Sequence, residues 1–178
     1  QRVEEIGYLA PPSKSTNGAE DTTASKIKKP ALITKLIWNE LSETEKNSIT
    51  ADYDIKIFIG DELEQFRGDK RFGEAFIFDG LPKDEIGIGA YKDGRLLGMA
   101  GATSDSDRMW QIGINVMPEA EGLGIGTMLV AAIKNEILDK NRLPFYGTAM
   151  SHIASQRVAL GAGFVPAWSE LYCEAIER

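Results

Sequence analysis

The stretch NVMPEAEGLGIGTMLVAAI, residues 115–133, passes from a strand-like apolar end through glycines at 122, 124 and 126 into a helix-like apolar run. That order suits an anion. A helix start presents N–H groups without carbonyl partners, backed by the positive end of the helix dipole. Glycines let a ligand come close to the backbone. Gly122, Leu123, Gly124, Ile125, Gly126 and Thr127 are therefore a candidate phosphate cradle. Two common phosphate motifs do not fit it. Thr127 stands where the dinucleotide pattern G-x-G-x-x-G needs its third glycine, and no Gly-Lys-Ser/Thr follows. A bare G-x-G also serves as a tight turn packing a helix onto a sheet. Glu119 and Glu121 flank the cradle, and a carboxylate about 4 Å from a phosphate is repelled by roughly 1 kcal/mol in water. Downstream, His152 and Ser155 stand where a second helix-like run begins.

The surrounding pattern must position these groups. EIGIGAY (85–91), RLLGMAGA (95–102) and MWQIGINVM (109–117) are strand-like runs. Asp93-Gly94 joins the first two as a tight hairpin, which needs positive φ. Gly124 to about Asn141 reads as a helix with Leu129, Ile133, Ile137 and Leu138 on one face. LPFYGTAM (143–150) is a further strand, and Ile153–Leu160 a short helix stopped by Gly161 and Gly163. FVPAWSELYCEAI closes the chain as one or two strands, broken near Pro166. Upstream, Ile55–Ile59 reads as a strand, 60–75 as helix or loop, and Leu32–Leu41 as an amphipathic helix followed by a helix-start signal, SETE, at 42–45. Residues 1–30 hold a Pro-, Ser- and Lys-rich segment and read as a linker or extended arm before a domain over 31–178. The fold class is a mixed α/β sheet.

Glu121-x-x-Gly124-x-Gly126 resembles the acyl-CoA pyrophosphate loop of the GNAT superfamily of N-acetyltransferases, whose pattern is Gln/Arg-x-x-Gly-x-Gly/Ala. SHIASQRVALGAGFVPAW (151–168) is similar to that family's second signature through Ser155 and Gly163-Phe164. MWQIGI before the loop and Pro166-Ala167-Trp168 after the Gly-Phe resemble a bacterial group within it. The resemblance covers about 85–172. It implies a mostly antiparallel central sheet with two splayed strands, flanked by helices, and acetyl-CoA as acyl donor with no metal. Ile114, Asn115 and Val116 would lie along the pantetheine, and N–H groups from Gly122 to Thr127 would hold the pyrophosphate. His152 and Ser155 would line the other side. The implied chemistry is direct transfer to an amine. A deprotonated amine attacks the thioester carbonyl, backbone donors stabilise the oxyanion, and the thiolate leaves as it is protonated.

The sequence departs from the family pattern at three places. Glu121 replaces Gln or Arg. His152 replaces the usual Asn, as a helix cap or as an acid or base near neutral pH. Ala159 stands where many members carry a tyrosine acid, leaving His152, Tyr172 or water for that role. Gln111 occupies a strand position where Glu is frequent and cannot usefully accept a proton. Asp105 and Asp107 are loop carboxylates able to act through water, and no side chain identifies itself as the base. Trp110, Phe164 and Trp168 read as core or rim aromatics, and Cys173 as a strand residue.

Composition bounds the rest. A net charge of −7 over 178 residues disfavours nonspecific nucleic-acid binding. Single Cys173 and His152 exclude an internal disulfide and cysteine-rich or multi-histidine metal sites. The longest apolar run, Met128–Ile133, is too short to span a bilayer, and no signal-peptide pattern opens the chain, so a soluble, cytoplasmic protein without membrane partners is expected. Gln1 is no initiator, which suggests a piece of a longer chain. Residues 39–85 hold thirteen acidic and six basic residues. By the resemblance they lie on the acceptor side and would attract a cationic amine, small or peptidic. Two functions fit: an acyl-CoA-dependent N-acyltransferase, or a catalytically degenerate module that binds CoA or another protein. The oligomeric state is not legible.

Overall fold

The structure, a computed structural model, describes residues 2–10 and 52–173. The helix expected over 32–41 and its 42–45 neighbour lie outside the described residues, as do the side chains of Tyr172 and Cys173. Seven strands form one sheet: β1 (Arg2–Leu9), β2 (Asp54–Ile59), β3 (Lys83–Lys92), β4 (Arg95–Ser104), β5 (Met109–Val116), β6 (Leu143–Ala149) and β7 (Val165–Cys173). Their order across the sheet is β2-β3-β4-β5-β6-β1-β7. Every neighbouring pair is antiparallel except β5 and β6.

Local chemistry explains most of these elements. The β3–β4 hairpin turns at Asp93 (φ 51°) and Gly94 (φ 74°), both left-handed as a two-residue turn demands. Helix α1 (Ile125–Asp139) follows β5 and lays Leu129, Ile133 and Ile137, all at 0% exposure, against Ile86, Ile88, Ala100 and Ile112 in one core. Leu138, expected on that face, is 42% exposed. It lies one residue beyond Ile137, about 100° further around the helix. Helix α2 (Ile153–Gly161) ends as its glycines predict, with Gly163 at φ 82°. The buried Lys134 amine on α1 donates to the Ala162 carbonyl just past α2 and lies over the Phe164 ring, joining the two helices.

The reading of residues 1–30 as a linker or arm is corrected for Arg2–Leu9. These residues form a strand between β6 and β7, pairing Glu5 with Ala149 of β6 and with Glu170 of β7. Tyr8 is buried, and its hydroxyl donates to Gln156 Oε1 on α2 at 3.2 Å. The break expected near Pro166 is a bulge rather than a second strand. Gly7 faces Trp168 and Tyr8 faces Pro166, so Ala167 is the extra residue.

The two faces of the sheet are covered differently. One carries α1 and α2. On the other, residues 60–78, two short 3-10 turns (Gly60–Phe66 and Lys70–Phe72) and a following strap, pack Leu63, Phe66, Phe72 and Phe76 over Met99 and Met117. The strap is pinned at both ends. Asn115 Oδ1 accepts from Glu74 N (3.1 Å) and Ala75 N (2.9 Å), while the Asp84 carboxylate accepts from Ile77 N and Phe78 N. Two strand glycines let it sit down: a Cβ on Gly101 would lie 1.8 Å from the Ala75 carbonyl oxygen, and one on Gly113 1.7 Å from that of Glu74.

Because the obstacle at Gly101 is backbone, Gly101→Ala must lift the strap. We expect a loss of about 1–3 kcal/mol in urea denaturation. An unchanged midpoint would show that the strap is not seated as described.

Candidate functional site

The parallel pair β5–β6 holds for three residues only, Met109–Leu143, Trp110–Pro144 and Gln111–Phe145, after which the strands part. Two hydrogen bonds fix which peptide groups face the gap. Met117 N donates to Leu97 O (2.8 Å), so the odd-numbered residues of β5 bond toward β4. Leu143 N donates to Arg108 O (2.7 Å), so the even-numbered ones face β6. Past the fork, the peptide groups of Ile114 and Val116 therefore point into the gap. Those of Asn115 point to β4, and its side chain holds the strap. Of Ile114, Asn115 and Val116, the first and last therefore turn their peptide groups to the gap, while the Asn115 side chain holds the strap.

The glycine loop begins at the end of this open edge. After Pro118–Ala120, Gly122 (φ 75°) and Gly124 (φ 79°) take left-handed conformations, and Gly124 is the N-cap of α1. The first bond inside the helix is Met128 N to Gly124 O, 3.0 Å. The N–H groups of Gly124, Ile125, Gly126 and Thr127 precede it and so have no partner within the helix. Gly122, Leu123 and Gly124 are exposed, while Ile125 and Gly126 are buried. Gly126 packs the helix onto the open strand: its Cβ would stand 3.2 Å from Val116 and 3.4 Å from Val158. The loop thus sets four donors and a helix dipole where the gap ends. Glu119 and Glu121 are both exposed, so the repulsion they exert on an anion is screened by water. Glu119 also lies within electrostatic reach of the Arg71 guanidinium, whose charge is held mainly by Asp69.

Helix α2 lies beside β6 beyond the gap. His152 is its N-cap and is exposed; its peptide bonds to Ala149 O and Gln156 N, and its side chain caps nothing. Ser155 Oγ lies 2.8 Å from the Tyr146 hydroxyl of β6. Tyr146 is 2% exposed. Burial holds its pKa above the ordinary tyrosine value; the Ser155 bond opposes the shift and the Glu74 carboxylate adds to it. Tyr146 was not singled out in the sequence, where it reads as one more aromatic in an apolar strand. Ala159 is fully buried in the core. Gln111 sits at the fork on the strap face, its Nε2 3.4 Å from where a Gly147 Cβ would be. Asp105 accepts from Thr103 Oγ1 at 2.8 Å.

The site therefore combines an open strand edge, a glycine-cradled helix start and the hydroxyl pair of buried Tyr146 and half-buried Ser155. An extended polar chain ending in phosphate fits that sequence of groups. Among the described residues, no helix is long and apolar enough to cross a membrane. The sequence model of the acetyltransferase (GNAT) family matches residues 52–164. A GCN5-related N-acetyltransferase-like protein from Streptococcus suis has a similar structure, with TM-score 0.59, 13% identity, and 96% of this chain and 60% of that one covered. An acetyltransferase of the GNAT family from Colwellia psychrerythraea gives 0.51, 15%, 96% and 55%. A GNAT-family protein from Novosphingobium aromaticivorans gives 0.51, 16%, 96% and 63%. At these identities the likeness is one of fold, and this chain spans less than two thirds of each. No curated protein sequence matches it.

Removing the Ser155 bond should raise the Tyr146 pKa further. In Ser155→Ala, the phenolate signal lost in Tyr146→Phe should appear at higher pH than in the parent, read by ring-labelled NMR. An earlier titration would contradict the hydrogen bond.

Proposed function

The chain belongs to the acetyltransferase (GNAT) family, and on that footing we propose that it is an acyl-CoA-dependent N-acyltransferase moving acetyl from acetyl-CoA to a primary amine. The observation that carries this reading is the open edge of β5, Ile114 and Val116, leading straight into the free N–H groups of Gly124–Thr127. The residues present fit the donor. The edge can hydrogen-bond an amide-bearing pantetheine arm as a short strand would, and the loop can cradle its pyrophosphate. Ser155 would line the far side of the gap, with exposed His152 at its mouth.

Two side chains are placed to move protons. Tyr146, kept neutral by burial, is the candidate acid, taking the part that Ala159 cannot. Glu74, on the strap, is the candidate base, acting on the incoming ammonium directly or through one water. It lies on the strap, which covers the sheet face opposite Tyr146, and its charge adds a little to the raised pKa of that hydroxyl. The amine would lose one proton toward Glu74 and attack the thioester carbon; as the adduct collapses, the departing thiolate would take a proton from Tyr146, and the second proton of the attacking nitrogen would restore the Tyr146 hydroxyl, directly or through water. His152 remains a candidate catalytic group only through its exposed imidazole. The acceptor is an amine of small-molecule or peptide type, and the acidic segment 39–85 favours a cationic one. A cytoplasmic location agrees with this chemistry.

A second reading, a degenerate module that binds CoA without turnover, draws on Ala159 and Glu121. Acetyl-CoA binding with no thiol release from any amine would select it.

Calorimetric titration should give micromolar acetyl-CoA binding, lost in Gly124→Asp, which puts a carboxylate and a strained left-handed residue in the cradle. No binding by the parent would contradict both readings. Where turnover is seen, Tyr146→Phe should lower kcat about 100-fold with little change in KM. Because the Tyr146 pKa is raised, kcat should not fall through loss of this proton below about pH 10. An alkaline limb well below that, unchanged in Tyr146→Phe, would assign the acid elsewhere.

A further inference from the structure

The strap covers β3 to β5, and on the same face beyond it lies a cavity of about 410 Å³. Its floor is Gly7, Gln111 and Gly147. Gly7 has to be a glycine, because a Cβ there would stand 2.1 Å from the Trp168 ring that lies across it. Phe145 and Trp168 form one continuous apolar wall, with ring centroids 5.9 Å apart and planes at 47°. That spacing leaves no slot between the rings, so a guest lies along them rather than between them.

Three carboxylates rim the cavity: Glu5, Asp105 and Glu170. Two are fixed in place. Trp168 Nε1 donates to Glu170 Oε1 at 2.6 Å, and Thr103 Oγ1 donates to Asp105 Oδ1 at 2.8 Å. In each, the second oxygen has no partner among the described residues. Glu5 and Glu170 face each other directly across β1 and β7. Among the described residues, no Lys or Arg lines the cavity. Gln111 and Phe145 are the last pair before β5 and β6 part, so the cavity opens beside the fork of the splayed strands.

We propose that this cavity is the acceptor subsite, and that it takes an aliphatic amine carrying a second cationic group. The polymethylene chain lies along Phe145 and Trp168, and the distal ammonium is held by Glu170 and Asp105. The reacting nitrogen is left at the fork. The inference rests on the acyl-transfer reading. It goes beyond it in placing selection for charge in Glu170 of the last strand and Asp105 of the β4–β5 loop rather than in the acidic segment 39–85.

The test is calorimetric titration with spermidine and with butylamine, in the presence and absence of saturating coenzyme A, which has no acetyl group to transfer. Spermidine should bind at least about tenfold more tightly than butylamine, and the difference should shrink severalfold in Glu170→Gln and further in Asp105→Asn/Glu170→Gln. These replacements keep shape, so circular dichroism and the acetyl-CoA titration should match the parent. Trp168→Phe, which keeps an apolar wall but removes the indole donor, should reproduce part of the Glu170→Gln effect. Equal binding of the two amines, or a difference untouched by the double variant, with acetyl-CoA binding intact, would overturn the subsite and leave the acyl-transfer reading standing. Loss of acetyl-CoA binding by the parent would overturn that reading instead.

Discussion

The structure turns on the parting of β5 and β6. A sheet normally satisfies its peptide groups strand by strand, and a buried peptide left without a partner costs free energy comparable to a lost hydrogen bond. Here the pairing is abandoned after Gln111, and the edge carried by Ile114 and Val116 needs another partner, water or ligand. Everything nearby keeps that edge open and straight. On one side β4 holds the alternate residues, Gly113 and Asn115. Behind it, Gly126 brings α1 against Val116. Over it, the strap is pinned by Asn115 and Asp84 and seated on Gly101 and Gly113.

The same fork divides the chemistry between two faces. The helix face brings the cradle at Gly124–Thr127 and the Tyr146–Ser155 pair. The strap face brings Glu74, Gln111 and the acid-rimmed cavity. A donor and an acceptor reaching the gap from opposite faces meet without competing for space, and only the gap connects the two sides.

Much of this was legible in the sequence because it rests on local rules. Asp93-Gly94 announced its turn through positive φ, Gly122 and Gly124 their loop, and Gly161 and Gly163 the end of α2. Three features were not legible, each for a long-range reason. Arg2–Leu9 looks like the head of a linker, because its partners lie far along the chain, Glu5 pairing with Ala149 and Glu170, and its neighbours are proline and serine. The strap over Gly101 and Gly113 was hinted at by glycines inside strands, but the sequence does not say which backbone approaches them. Tyr146 meets Ser155 across the turn between β6 and α2, and only the fold puts the two hydroxyls together. Asn115 shows the converse: the residue belongs to the expected stretch, but strand alternation turns its peptide to β4 and its side chain to the strap.

The central claim is that the even-numbered peptides of β5 beyond the fork form the open receiving edge. Amide hydrogen exchange by NMR, with and without acetyl-CoA, tests this residue by residue. In the free protein Gly113 and Asn115, bonded to β4, should be protected, while Ile114 and Val116 exchange faster. On adding acetyl-CoA, Ile114 and Val116 should slow markedly together with Gly124–Thr127. Protection that appears at the loop alone, leaving Ile114 and Val116 unchanged, would contradict the account.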